Sequence, residues 1–486
     1  MGEAGFAKVV VTDTFTNEYP VGRDLEGRFL YLRDGERQWL LATFDFSYRF
    51  RRTCNRWRQA ISEATGIPVA CIWNHDSQSH SAPIANMLEG DACESLISTC
   101  LPAVKEAIAS AEEAEVSYVV ADLGDRWNMC REQYIPGLGC VTVWAGLEFD
   151  EAGRPYSQDP DIMLLAGWKP DLPAFKERIY FDRPADPQAA LMVFRSRRSG
   201  KVLGHLSRFS GHPDVVGAAA THSRTPGVYE MSEYHYDPDW LGDLRQGCEA
   251  ELGGIGVAVC GPTANLSAKK AWPYGYRDGV EESRRIGGGV AAECLRAFGA
   301  RGSDWAPVRI VGAANSTVDL PMRPDVPRSH AELAAVQAGR VDGLKQAYQD
   351  AIAAGEPAYR IKRLIDDYYM WTCMDRIVDR WVGLSDEEMG RGVMRVELEA
   401  LRLNDVVLAG LPGENLTQTN AWLKAQSLGN NLVVFDAING YTCYMTTREQ
   451  YDLGSYTYWC SALSRDASPV LWSASLDTIR RAWDSQ

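Results

Sequence analysis

Two short apolar runs near the C-terminal end of the chain constrain its fold more than any other feature. Residues 405–410 (Asp-Val-Val-Leu-Ala-Gly) run straight into Leu411, Pro412, Gly413 and Glu414. About one helix later, residues 432–435 (Leu-Val-Val-Phe) lead towards a cluster that includes Tyr441, Tyr444 and Tyr451. Both runs read as strands. One is followed by a carboxylate and the other by tyrosines. Carboxylates and aromatic hydroxyls just past strand ends are where α/β enzymes keep their chemistry.

The same order recurs upstream. Residues 8–12, 29–32, 39–46 and 116–122 read as strands, and 51–65 as a helix closed by Gly66, Ile67 and Pro68. Residues 69–73 form a short apolar strand that runs into a loop holding His75, Gln78 and His80. Residues 101–111 read as helix. Residues 191–194 and 203–209 bracket a hairpin turn at Gly200 and Lys201. Residues 255–260 read as a buried strand leading into Gly261, and 281–298 as a helix. Two long helices, broken near Gly355–Pro357, are expected over 331–381. This alternation predicts an α/β fold of mixed β-sheets flanked by helices.

Composition narrows the class. The 486 residues are 45% hydrophobic and 24% charged, enough apolar material for a large core. A net charge of −15 argues against nucleic acid or an anionic membrane as partner. The N-terminus has no apolar targeting segment, and no window approaches the ~20 apolar residues of a membrane span. The 12 cysteines include no CxxC pair, as expected of buried thiols in a reducing cytoplasm. A small-molecule substrate is the expected partner. The tryptophan- and tyrosine-rich stretches 368–381 and 451–459 would supply an apolar face for a homo-oligomer.

The 7 histidines are the next guide. His80 and His212 each follow a strand, where an imidazole can meet a metal or act as a base. His205 inside a strand and His330 at a helix start are expected to be structural. Residues 221–240, with His222, Tyr229, Tyr234, His235, Tyr236, Asp237, Asp239 and Trp240, are dense in polar aromatics that can pack a small polar pocket.

Five stretches then resemble, in order, the catalytic domain of the neutral ceramidase family. Residues 77–83 (Ser-Gln-Ser-His-Ser-Ala-Pro) resemble its Thr-His-Thr-His-Ser-Gly-Pro element. Residues 128–134, 209–213 (Phe-Ser-Gly-His-Pro) and 261–267 (Gly-Pro-Thr-Ala-Asn-Leu-Ser) are similar to three further elements. The fifth is Pro412-Gly413-Glu414 with residues 441–456. The resemblance implies one large neutral-ceramidase-like catalytic domain over 1–486, without the family's C-terminal immunoglobulin-like domain. It implies that His212, Glu414 and Tyr444 are zinc ligands and that Ser267 lies beside a scissile amide. It also implies that His80, Arg131 and Tyr456 line the site and steady an oxyanion.

The departures matter as much. The family's first ligand histidine is Gln78 here, and a neutral amide oxygen is a poor zinc ligand. Three readings stay open: His75 or His80 replaces it; a harder ion (Mg, Mn or Ca) is held instead of zinc; or the pocket works metal-free through Glu414, His80 and His212. The family's Gly-Asp-Val-Ser-Pro-Asn element is 264–269 here, followed by Lys270. Lys269 and Lys270 suit an anionic or polyhydroxylated substrate, or else are solvated surface charges. The expectation is a cytoplasmic hydrolase of a soluble N-acyl amide, metal-dependent through an activated water. A carbohydrate-active enzyme using Glu414 and a substrate-binding pseudoenzyme are the alternatives.

Overall fold

The computed structural model describes residues 2–135, 139–142, 148–149, 155–156, 185–217, 234–270, 276–301, 304–356, 358–372 and 374–485. The first sheet is built from β1 (Glu3–Val10), β2 (Glu26–Asp34), β3 (Arg37–Phe44), β4 (Ile72–Asp76), β5 (Glu112–Asp122), β6 (Gln188–Ser196), β7 (Val202–Phe209) and β8 (Ile255–Cys260). Their spatial order is β8-β7-β6-β5-β1-β2-β3-β4, and Ala306–Pro307 adds a ninth strand against β5. The second sheet is four-stranded: β9 (Ile310–Pro321), β10 (Val393–Leu403), β11 (Val406–Gly410) and β12 (Leu432–Phe435), in that order.

Most neighbours are antiparallel, some joined by short hairpins (β2–β3, β6–β7, β10–β11) and others paired across long stretches of chain. Three pairs within these two sheets are parallel, and each connection holds an α-helix among the described residues. α1 (Arg51–Thr65) links β3 to β4, and α3 (Asp239–Leu252) links β7 to β8. The third, α5 (Thr417–Gln426), links β11 to β12. Two further helices, α2 (Asp91–Ala109) and α4 (Tyr276–Arg301), complete the cover of the first sheet, and α6 (Ala467–Asp484) lies on the second.

The strands read as uniformly apolar because both faces of each sheet are buried. On β12, Val433 and Phe435 enter a core shared with Trp39, Leu41, Trp73, Val257 and Leu408 of the neighbouring strands of both sheets. Leu432 and Val434 point the other way, towards Leu471 and Ile479 of α6. On β3, Leu40 and Ala42 pack on Trp57 of α1 and Leu96 of α2. On β8, Ala258 and Cys260 meet Trp240 of α3 and Val290 of α4. The result is four layers: helices, sheet, sheet, helices. The mixed α/β class expected from the sequence is what forms.

One strand lies three residues further along the chain than the apolar run 69–73 predicts. β4 begins at Ile72 and continues through Asn74, His75 and Asp76, so His75 sits in a strand and not in a loop. Residues 330–382 form four helices (His330–Gln337, Arg340–Ala353, Ala358–Thr372 and Asp375–Val382) where two were expected.

His205, on β7, is fully buried, and neither ring nitrogen has a hydrogen-bond partner among the described residues. Burial pushes its pKa down to about 4, with Glu249 opposing and Arg28 assisting that shift. An unfolded histidine titrates near ~6.5. As pH falls between those values the unfolded chain takes up a proton that the folded one refuses, so stability is lost. Wild type should therefore lose more stability than His205→Leu between about pH 7 and about pH 4.5, by on the order of 1–3 kcal/mol. Urea unfolding at both pH values measures this; equal losses would show that His205 is not held neutral.

Candidate active site

The carboxyl ends of the three parallel pairs meet through hydrogen bonds and carry the site residues. Gln78 and His80 follow β4, His212 follows β7 and Thr263 follows β8. Glu414 follows β11, while Asp436 and Tyr444 follow β12. This is the crevice beyond parallel strand ends where open α/β sheets bind ligands.

Backbone bonds stitch these ends together. The amide of Cys260 donates to His75 Nε2 (3.0 Å), and the amide of Asp436 donates to the Cys260 carbonyl (2.9 Å). Asn439 donates to the Asn74 carbonyl (2.8 Å), and Asn74 donates back to Asn439 Oδ1 (3.0 Å). Glu414 and Asn415 pair in parallel with Tyr444 and Met445. Gly413, just before Glu414, has φ +60, and a Cβ there would strike the Cys443 carbonyl and the Thr442 hydroxyl. Only glycine serves the turn that presents the carboxylate.

At the centre, His212 Nδ1 lies 3.8 Å from Glu414 Oε2, both side chains being buried. The His80 ring stands edge-on to His212, centroids 4.7 Å apart. His80 Nδ1 lies 3.1 Å from the Gln78 carbonyl, which fixes its ring orientation and leaves Nε2 as the basic nitrogen. Loss of hydration pushes the His80 pKa down to about 4, against the pull of Asp214. The ring is therefore a neutral base at ordinary pH.

Arg131 closes another side. It is fully buried, its Nε donates to the Ala264 carbonyl (2.9 Å) and its Nη2 to Tyr444 Oη (3.3 Å). The guanidinium stands 5.7 Å from the Tyr456 ring centroid, and Tyr456 lies 5.7 Å from Tyr444. Burial first, then Glu414, hold the Tyr444 phenol well above its ordinary pKa, so it is a protonated donor. The adjacent Glu132 takes the Thr457 amide (2.9 Å) and the Gln450 carboxamide (2.6 Å), which fixes the turn carrying Tyr456. Ser267 joins through a backbone bridge to His212, and its buried hydroxyl has no hydrogen-bond partner among the described residues.

The structure thus gathers His80, Arg131, His212, Ser267, Glu414, Tyr444 and Tyr456. His75 is not free to replace a ligand through Nε2, which the Cys260 amide occupies. His235 stacks on Tyr276 at 4.2 Å, and His330 pairs with Asp379. His222 and Tyr229 lie outside the described residues. Lys270 is fully buried in an ion pair with Asp214, so its charge is neutralised inside the protein and is no surface cation. Lys269 is tied to the Asp125 carbonyl (3.3 Å). Sequence reasoning missed Thr263 and Asp436. Thr263 Oγ1 donates to Gln78 Oε1 (3.1 Å). Asp436 accepts from the Asn415 amide (2.9 Å), the Asn415 side chain (2.6 Å) and the Thr263 amide (3.4 Å). Their one signal was position, within three residues of a strand end.

No protein-family model matches the chain, and no curated protein matches it. Among solved structures, the neutral ceramidase from Pseudomonas aeruginosa aligns with a TM-score of 0.62 at 13% identity, covering 98% of this chain and 74% of that one. A ceramidase complexed with C2 aligns with a TM-score of 0.61 at 13% identity and the same coverage. The chain therefore has a ceramidase-like fold.

A zinc site needs three or more convergent nitrogen, sulfur or charged oxygen donors. Among the described residues, no three His, Cys, Asp or Glu side chains form such a group. Position 78 offers only a neutral carboxamide oxygen, and that oxygen is occupied by Thr263. This donor set does not fit zinc as it stands. Gln78→His would restore an imidazole beside His212 and Glu414. It should raise zinc affinity at least about tenfold, as ~1.4 kcal/mol of added coordination would give. Calorimetric zinc titration of both proteins decides this, and unchanged affinity would mean that position 78 does not face the other donors.

Proposed function

We propose that this protein is a hydrolase that cleaves an amide bond of a small, polar, N-acylated substrate, using a water activated at the His212–Glu414 pair. The observation that carries this reading is the 3.8 Å approach of His212 to Glu414, with Arg131 and Tyr444 hydrogen-bonded beside them. Its support from outside the chain is the ceramidase-like fold.

In this mechanism the His212–Glu414 pair takes a proton from water as its oxygen attacks the carbonyl carbon. The carbonyl π electrons move to oxygen, where Arg131, cationic throughout, and the Tyr444 hydroxyl steady the charge. The C–N bond then breaks, and the pair returns the proton to the leaving amine. His80, neutral and edge-on to His212, supports that imidazole. Because the donor set does not fit zinc, no step is routed through a metal. Tyr456 packs under the guanidinium and limits its motion.

We place the protein in the cytoplasm as part of the same proposal. The cysteines among the described residues are free thiols, as suits a reducing compartment. No helix among the described residues is long and apolar enough to cross a membrane.

Release of free amine from a panel of N-acyl amino acids and N-acyl amino sugars tests the reading. His212→Ala and Glu414→Gln should each lower kcat/KM by about 10²–10⁴-fold with the fold intact by circular dichroism. Near wild-type turnover in either variant would remove that residue from the mechanism.

A further inference from the structure

Gln78 stands where a ligand histidine was expected, yet its environment is built for something else. It is a non-glycine residue at φ +64, in the left-handed region that side chains rarely adopt. Such strain persists only where the surroundings impose it, and it concentrates at functional sites. The residue is 3% exposed. Its Oε1 accepts the Thr263 hydroxyl, and Thr263 is itself fixed through its amide to Asp436. Its own carbonyl meets His80 Nδ1. One end of the carboxamide is therefore held, and the ring beside it is held by the same residue.

The other end is not satisfied. Gln78 Nε2 is buried and has no hydrogen-bond partner among the described residues. Buried donors in native proteins are nearly always paired, and each exception needs a reason. Ser267 Oγ, bridged through its backbone to His212, is a second such group. Two unsatisfied donors are thus attached to the two facing histidines. A substrate carbonyl oxygen, as it gains negative charge, is the partner that both lack.

We propose that Gln78 is a catalytic residue whose Nε2 hydrogen bonds the substrate carbonyl oxygen and stabilises the oxyanion. It supplies as a fixed neutral dipole part of the polarisation that a metal would supply as charge. This rests on the amide-hydrolase reading. The proton stays on Nε2 throughout. Water's oxygen bonds the carbonyl carbon, the π pair moves to the carbonyl oxygen beneath Gln78, and the amine departs with the proton that the His212–Glu414 pair carried.

The test uses methylphosphonate, a tetrahedral anion of the oxyanion's shape, so that it does not depend on knowing the substrate. Calorimetry should show binding to wild type, weakened at least about tenfold in Gln78→Met. The Gln78 side-chain amide resonance, assigned by its loss in Gln78→Glu, should shift on titration. Gln78→Met also removes the acceptor of the Thr263 hydroxyl, so its melting temperature is read only to confirm that the variant is folded at the assay temperature. On any amide that wild type cleaves, kcat should fall about 10²–10³-fold with KM little changed. Equal methylphosphonate affinity in both proteins, or no binding to wild type, overturns the proposal. Gln78-dependent methylphosphonate binding without turnover of any amide would instead reject the hydrolase reading and leave the anion-binding role of Gln78 standing.

Discussion

The amide of Cys260 donates to the imidazole of His75 inside the protein, and that bond ties the end of β4 to the end of β8. It works only if His75 is neutral, and burial pushes its pKa down to about 3, so it stays neutral across the working range. From the same Cys260 the chain passes to Asp436, whose carboxylate then gathers Asn415 and Thr263. Three strand ends from two sheets are thereby held by buried polar groups that satisfy each other. In a low-dielectric interior such bonds are strong when complete and costly when broken. Glu414 is the neighbour of Asn415, and Gln78 is held by Thr263, so the positions of both follow from this seam.

The site is a buried cluster of opposed charges and neutral donors. Arg131 stays cationic next to Tyr444, which stays protonated because burial disfavours a phenolate and Glu414 lies close. Lys270 and Asp214 neutralise each other in full burial. The pair is thus part of the support under His212, two residues before Asp214, and no longer argues for an anionic substrate. What remains to act on a substrate is one imidazole–carboxylate pair, a second neutral imidazole and a set of donors. Such a constellation suits proton transfer with oxyanion stabilisation.

Much of this was legible in the chain. The apolar runs at 255–260, 405–410 and 432–435 mark buried strands because both faces pack. The α1 and hairpin boundaries are set by Gly66 and by Gly200 at φ +71. The order of strands was not legible, since the antiparallel majority depends on long-range pairing. His75 was misplaced for a physical reason. Asn74, His75 and Asp76 are polar, but each hydrogen bonds a distant partner, such as Arg49 on Asp76, and they continue a strand that hydropathy ends at Trp73. Lys270 read either as a substrate-facing or as a solvated cation because its partner, Asp214, lies 56 residues away. Gln78 stood out as a departure, but only the structure shows its oxygen held and its nitrogen open.

The central claim is that a ceramidase-like fold here carries acid/base machinery without a resident zinc ion. Plasma mass spectrometry of the purified wild-type protein, before and after zinc soaking and desalting, tests it most directly. The account predicts well below one zinc per chain in both samples. Near-stoichiometric zinc in either would contradict it and would mean that other groups complete the coordination that Gln78 does not.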